Sequence, residues 1–159
     1  IDNAVLLGCP RVMVNQQQAE LNRETRAHAV AAWTQMVAYG KTKNVKVSAE
    51  TRGVVGASKE QLGMLPWEFL AGVIKDAGAN SNVDIGNVSA PDQQELNRAI
   101  KGLFATSSGN MHIKSSPNWD IGATVRFTER LGYTGLYSVA VRTHQAVRLI
   151  YNTILANLA

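Results

Sequence analysis

The sequence predicts an α/β protein built on a parallel sheet, and three observations carry that prediction. Short runs rich in β-branched residues alternate with longer segments whose apolar residues recur three and four apart. The runs near Val14, Val47, Val83, Ile113 and Ser138 stand 33, 36, 30 and 25 residues apart, which is the length of βα units. No Gly-x-Gly-x-x-Gly follows any of these runs, and no Gly-x-x-x-x-Gly-Lys-Ser/Thr occurs, so a dinucleotide or P-loop fold is not expected.

The elements follow in order. Residues 2–7 read as the tail of a helix ending at Gly8. Strands are expected at 11–15, 46–50, 82–85, 110–114 and 135–139. A helix over 22–39 would bury Ala27, Val30, Ala31, Thr34 and Val37. The next, over 66–77, has Pro66 at a first helical position and Gly78 just past its end, and would bury Phe69, Leu70, Val73 and Ile74. A third, over 91–104, has Ser89 as candidate N-cap with Asp92 three residues on. A fourth, over 120–131, stops at Gly132. The last, over 144–158, would bury Val147, Ile150, Ile154 and Leu158.

The 159 residues suffice for one domain, 1–159, with a real core. The net charge is +4, but Lys and Arg are scattered and no basic run is interleaved with aromatics; no nucleic-acid partner is expected. No apolar run reaches the length of a membrane span, so no membrane partner is expected either. Cys9 is the single cysteine, which excludes an intrachain disulfide and a Cys-rich zinc site. The chain opens Ile1-Asp2-Asn3 without Met or a basic-then-apolar leader, so a signal peptide is expected to be absent or already removed. The compartment is open, with the cytoplasm favoured.

In a parallel sheet covered by helices, chemistry sits at the C-terminal strand ends. There the sequence places Asn15, Glu50 followed by Arg52, Asp84 followed by Asn87, and Asn110, His112 and Lys114. Glu50, Asp84 and His112 come from three successive strands, and two carboxylates with an imidazole suit manganese, magnesium, cobalt or zinc. Each alone has a plainer reading. Glu50 could cap a helix or pair with a base, Asp84 could cap the Gly86-Asn87 turn, and His112 could be a satisfied core histidine. All three at equivalent strand ends point to a shared polar site. Lys114 and Arg52 are ligand contacts or surface charges, Asn15 and Asn110 hydrogen-bonding scaffold. His28 and His144 read as solvated. Trp33, Trp67 and Trp119 read as packing, Trp119 also as the lip of a pocket.

At these residues the sequence resembles the sugar phosphate isomerase/epimerase (xylose isomerase-like) TIM barrels. Residues 1–15, with Leu-Gly-Cys-Pro-Arg-Val-Met-Val, are similar to the segment leading into the family's fourth strand. Residues 45–53 (Val-Lys-Val-Ser-Ala-Glu-Thr-Arg-Gly) resemble its fifth-strand motif, and residues 82–87 its sixth-strand Asp-x-Gly-His/Asn. Residues 110–114 resemble its seventh-strand His-x-His-x-Lys, and residues 132–139 (Gly-Tyr-Thr-Gly-Leu-Tyr-Ser-Val) its eighth-strand motif. The resemblance implies a (β/α) TIM-barrel type fold with about five βα units, corresponding to strands four to eight, the N-terminal strands being absent. It implies a divalent metal on Glu50, Asp84 and His112, with Glu50 also a proton-transferring residue. Lys114, Arg52, Asn87 and Asn15 would lie on the substrate side. The activity implied is sugar or sugar phosphate isomerisation or epimerisation by proton transfer next to a carbonyl.

Three positions depart from the family pattern. Ala140 stands where the eighth-strand motif continues with a Glu that is both ligand and second acid/base. Asn87 replaces the usual His, and Asn110 the first His of the seventh-strand motif. The alternatives are therefore a catalytically silent sugar-binding or assembly relative, or a sugar lyase or dehydratase. An abasic-DNA endonuclease of the same superfamily would need more His and acidic ligands. A full barrel needs eight strands and five leave two open edges, so a homo-oligomer or a partner segment completing the barrel is expected.

Overall fold

The computed structural model describes residues 1–15, 22–51 and 59–158. Its elements are α1 (Asp2–Leu6), β1 (Arg11–Val14), α2 (Arg26–Thr42), β2 (Lys46–Glu50), α3 (Lys59–Leu62), α4 (Pro66–Ala77), β3 (Asn80–Asp84), a 3-10 turn (Ile85–Asn87), α5 (Gln93–Phe104), β4 (Ser107–Ile113), α6 (Ile121–Arg130), β5 (Leu136–Val139) and α7 (His144–Leu155). The five strands lie side by side in sequence order and every pairing is parallel. With alternating helices outside, they form a curled half-barrel of about five βα units, the TIM-barrel type expected.

One side chain shows the curl directly. Arg11 at the start of β1 donates from Nη1 to the carbonyls of Ser108 (3.1 Å) and Gly109 (3.2 Å) on β4. In a flat sheet those strands would stand roughly 14 Å apart, three inter-strand spacings, which no arginine spans. The two faces of the sheet then differ. Val47, Ala49, Val83, Met111 and Ile113 alternate outward into a core with Phe69, Leu70, Val73, Ile74, Leu96, Ile100 and Leu103 from α4 and α5. The other face is polar and hydrogen-bonded: Ser138 Oγ donates to Asn110 Oδ1 (2.7 Å), and Asn110 Nδ2 to Asn82 Oδ1 (2.9 Å).

Helix α4 forms as expected. Pro66 opens it, the Glu68 carboxylate accepts the Leu65 N–H at 3.0 Å, and Gly78 closes it in the left-handed region at φ 66°. Three expectations are corrected. Ser89 is not the cap of α5: it sits at φ 57° in the preceding turn, and Asp92 Oδ1 accepts the Glu95 N–H at 2.8 Å. Helix α2 begins at Arg26 and not at residue 22, because Asn22 Oδ1 accepts the N–H groups of Glu24 and Thr25 and folds that stretch into a turn. It buries Ala29, Trp33, Val37 and Gly40, while Ala27, Ala31 and Thr34 are exposed. Its apolar residues surround the helix, so periodicity did not select the face, and the large Trp33 did.

The third correction concerns α7, which ends at Leu155 and buries Ile150 and Ile154. Val147, Tyr151, Leu155 and Leu158 stay exposed. The helix covers β5, an edge strand, so half of its apolar face meets no further strand. At the opposite edge Leu6, Leu7 and Met13 are exposed as well. Replacing Asp92 by Ala is expected to cost about 1 kcal/mol in urea unfolding, and Ser89→Ala far less, since only Asp92 holds an orphan N–H of α5.

Candidate metal centre

Glu50 ends β2, Asp84 ends β3, and His112 lies one residue before the end of β4. The sheet register sets Asp84 level with His112 and His112 level with Ser138. That alignment depends on an irregularity. Between the pairs Ser81–Ser107 and Val83–Met111, β3 advances two residues and β4 four. The extra residues lie around Gly109, whose φ of 79° is one that glycine adopts without strain. A regular register from Ser81–Ser107 would have set Asp84 beside Asn110, and the bulge replaces it with His112.

The three side chains converge. His112 Nδ1 lies 3.2 Å from Glu50 Oε1 and 3.4 Å from Asp84 Oδ2. One ligand atom from each residue lies within 4.8 Å of the others, so the cluster can hold a metal ion. Each carboxylate has one oxygen engaged elsewhere. Asn15 Nδ2 donates to Glu50 Oε2 at 2.8 Å, and the Gly86 N–H to Asp84 Oδ1 at 3.0 Å. The remaining oxygens, Glu50 Oε1 and Asp84 Oδ2, face the cluster. Asp84 Oδ2 is buried and its neighbours are charge-bearing groups, Lys114 Nζ at 2.6 Å and His112 Nδ1 at 3.4 Å. A buried carboxylate oxygen so placed, beside a second carboxylate and an imidazole, fits a divalent cation.

The backbone holds the two carboxylates in place. Thr51 Oγ1 accepts the Asp84 N–H at 3.0 Å and donates to the Asp84 carbonyl at 2.9 Å. The hydroxyl thereby extends the β2–β3 ladder one step past Glu50. Asp84 plays two parts at once: Oδ1 caps the turn, as the plainer reading had it, and Oδ2 joins the cluster.

Electrostatics separates the two acids. Burial, then the neighbouring Asp84 charge, push the Glu50 carboxyl above the ordinary range, against the pull of His112. Burial also acts upward on Asp84, but hydrogen bonding to His112 and Lys114 and their charges together outweigh it and hold its carboxyl low. His112 is raised above 6.5, first by its hydrogen bond to Asp84; burial opposes this, and the two carboxylate charges add to it.

Among the other expected residues, Lys114 joins the cluster and Asn15 orients Glu50, whereas Arg52 lies outside the described residues. Asn87 is half-buried in the turn after β3, and Asn110 is scaffold between Asn82 and Ser138. His28 and His144 are exposed, Trp33 is buried, and Trp67 and Trp119 pack against the core. Three contributors went unnoticed in the sequence: Asn82, Ser138 and Thr51. Alternation could have found the first, since Asn82 stands two residues before Asp84 on the same strand face.

The shifts fix how the metal-free protein responds to pH. A raised His112 contributes stability that is full below its ordinary value near 6.5 and is lost as pH rises through the raised value. The raised Glu50 has the same sign, its contribution fading from about pH 4.5 upward. The lowered Asp84 has the opposite sign, its contribution lost only as pH falls below 3.8. Thermal melts in a chelator should therefore show stability declining from mildly acid to alkaline pH. His112→Asn should remove the part of that decline lying above pH 6.5; an unchanged profile would contradict the assignment.

No protein-family model matches the sequence, and a comparison with curated proteins found no match. Among solved structures the fold is similar to a xylose isomerase domain containing protein from Salmonella typhimurium LT2, with a TM-score of 0.57 and 13% identity. The match takes in 98% of this chain and 64% of that one, so this chain spans under two thirds of its structural relative. The likeness supports the fold expected from the sequence, a partial TIM-type α/β barrel of about five βα units.

Proposed function

We propose that this chain is the metal-binding part of a sugar isomerase-like barrel that moves a proton next to a carbonyl. The observation that carries the reading is the convergence of Glu50 Oε1, Asp84 Oδ2 and His112 Nδ1 at the C-terminal ends of successive parallel strands. These three residues would hold a divalent ion, which when bound supplies Lewis-acid polarisation of a carbonyl and its neighbouring hydroxyl. Manganese, magnesium, cobalt and zinc all suit the donor set.

The chain's own residues account for the proton. Glu50 is buried and biased toward holding a proton, which suits a group that takes one from carbon and returns it. The Asn15 amide holds Oε2 and fixes the plane of the carboxylate. Lys114 and the turn residue Asn87 would meet substrate oxygens, joined by Arg52 from the segment after β2. Ala140 offers neither a ligand nor an acid. The activity proposed is isomerisation or epimerisation of a small-molecule sugar.

Ala140 also supports a second reading: a sugar-binding relative that kept the fold and lost its chemistry. Ala140→Glu separates the two. Gain of deuterium exchange at the carbon beside a ketose carbonyl, from a wild-type chain with none, would mark a decayed enzyme.

The open edges bear on partners. Among the described residues β1 and β5 each pair on one side only, and exposed apolar residues flank both: Leu6, Leu7 and Met13 at one end, Leu136, Tyr151 and Leu155 at the other. Further βα units, from a second copy or from a partner segment, would cover them and close the barrel. Among the described residues no helix is long and apolar enough to cross a membrane, and a cytoplasmic setting suits the reading.

Elemental analysis paired with solution molar mass tests the proposal. About one manganese, cobalt, zinc or magnesium per chain in a defined assembly is expected, falling at least tenfold in affinity in Glu50→Gln or Asp84→Asn. A metal-free protein that gains none on dialysis would remove the metal-dependent reading.

A further inference from the structure

We infer that Lys114 is the resident cation of this site: it competes with a divalent ion for Asp84 Oδ2 and sets how tightly the site takes metal. The inference rests on the three-ligand reading above and adds a residue that opposes the ion.

The geometry leaves one contested atom. Asp84 Oδ1 is committed to the Gly86 N–H, so Oδ2 is the oxygen available to the cluster. Lys114 Nζ stands 2.6 Å from that same oxygen. Lys114 follows His112 by two residues, one past the end of β4, and both side chains reach Asp84 Oδ2. An ion bonded to Oδ2 at the usual ~2.0–2.6 Å would lie within roughly 5 Å of an ammonium that kept its contact. Like charges at that distance oppose each other strongly when little water intervenes. Asp84 is 1% exposed, which leaves little room for screening.

Gly86 shows that the Lys114 position is built. A Cβ placed there would stand 2.6 Å from Lys114 Cδ and 3.2 Å from Lys114 Cβ. Gly86 is not among the glycines at positive φ, so the backbone does not demand glycine there. The space its missing side chain leaves is filled by the lysine stem, which lies across the turn with its ammonium on Asp84.

Charge counting gives the consequence. Two carboxylates and one ammonium, with a neutral imidazole, sum to −1; a divalent ion brings the sum to +1. Loading the site thus favours release of Lys114 from Asp84. The Lys114 side chain is 33% exposed, enough to swing toward solvent or toward an anionic oxygen of a ligand.

Titration of the full chain with Mn2+ tests this by calorimetry, alongside melts in chelator. Lys114→Met should bind Mn2+ about 10- to 100-fold more tightly than wild type, the range over which groups around a ligand shift metal affinity. The same variant should melt lower than wild type in chelator, since Asp84 loses its counter-ion. Gly86→Ala keeps every charge but displaces the lysine stem, and should also tighten Mn2+ binding. Equal or weaker binding by Lys114→Met, with wild type binding normally, would overturn the inference and leave the three-ligand reading intact. If neither wild type nor the two variants bind Mn2+, the three-ligand reading fails and this inference fails with it.

Discussion

Two buried carboxylates at neighbouring strand ends are the constraint on which the rest of the site depends. Glu50 and Asp84 are 6% and 1% exposed, and like charges so placed raise each other's cost of ionisation. Cations and donors must therefore gather around them. The structure supplies His112 between the two, Lys114 on Asp84, Asn15 on Glu50 and the Gly86 N–H on Asp84. The compensating groups come from the ends of β1, β3 and β4, so the cluster exists only when β1 to β4 are assembled. The same demand makes the cluster suited to a divalent ion, which would balance the pair more completely than one lysine does.

The polar inner face extends that logic down the strands. TIM-barrel interiors are usually filled by branched apolar side chains. Here Asn82, Asn110 and Ser138 form a hydrogen-bonded row on that face. The row ties β3, β4 and β5 together beside Asp84 and His112. Arg11 crosses from β1 to the bulge in β4 and fixes the curl from the other side. Curl and bulge act on the same point: one brings β1 and β4 toward each other, the other slides His112 level with Asp84.

Much of this was legible in the residues. β-branched runs at regular spacing gave a parallel α/β architecture, and Pro66 with Gly78 marked both ends of α4, because those signals are local. The polar strand ends Glu50, Asp84, His112 and Lys114 were legible for a related reason: in this architecture a strand's last residues have a known destination. Ser89 and Asp92 show where local signals fail. Both are capping residue types, and only the φ of 57° at Ser89 excludes it. The face of α2 was illegible because alanines surround that helix, leaving the choice to whichever side Trp33 could bury.

The sequence by itself determined the order of the main elements and the polar type of the site, since each follows from residue identity or short-range periodicity. Only the tertiary structure decided which oxygen of each carboxylate is free, that Lys114 rather than solvent neutralises Asp84, and that His112 rather than Asn110 stands beside it. Those outcomes turn on ångström-scale register and on the two-residue bulge at Gly109. They depend on how four strands curl against one another, and no single segment of the chain encodes that.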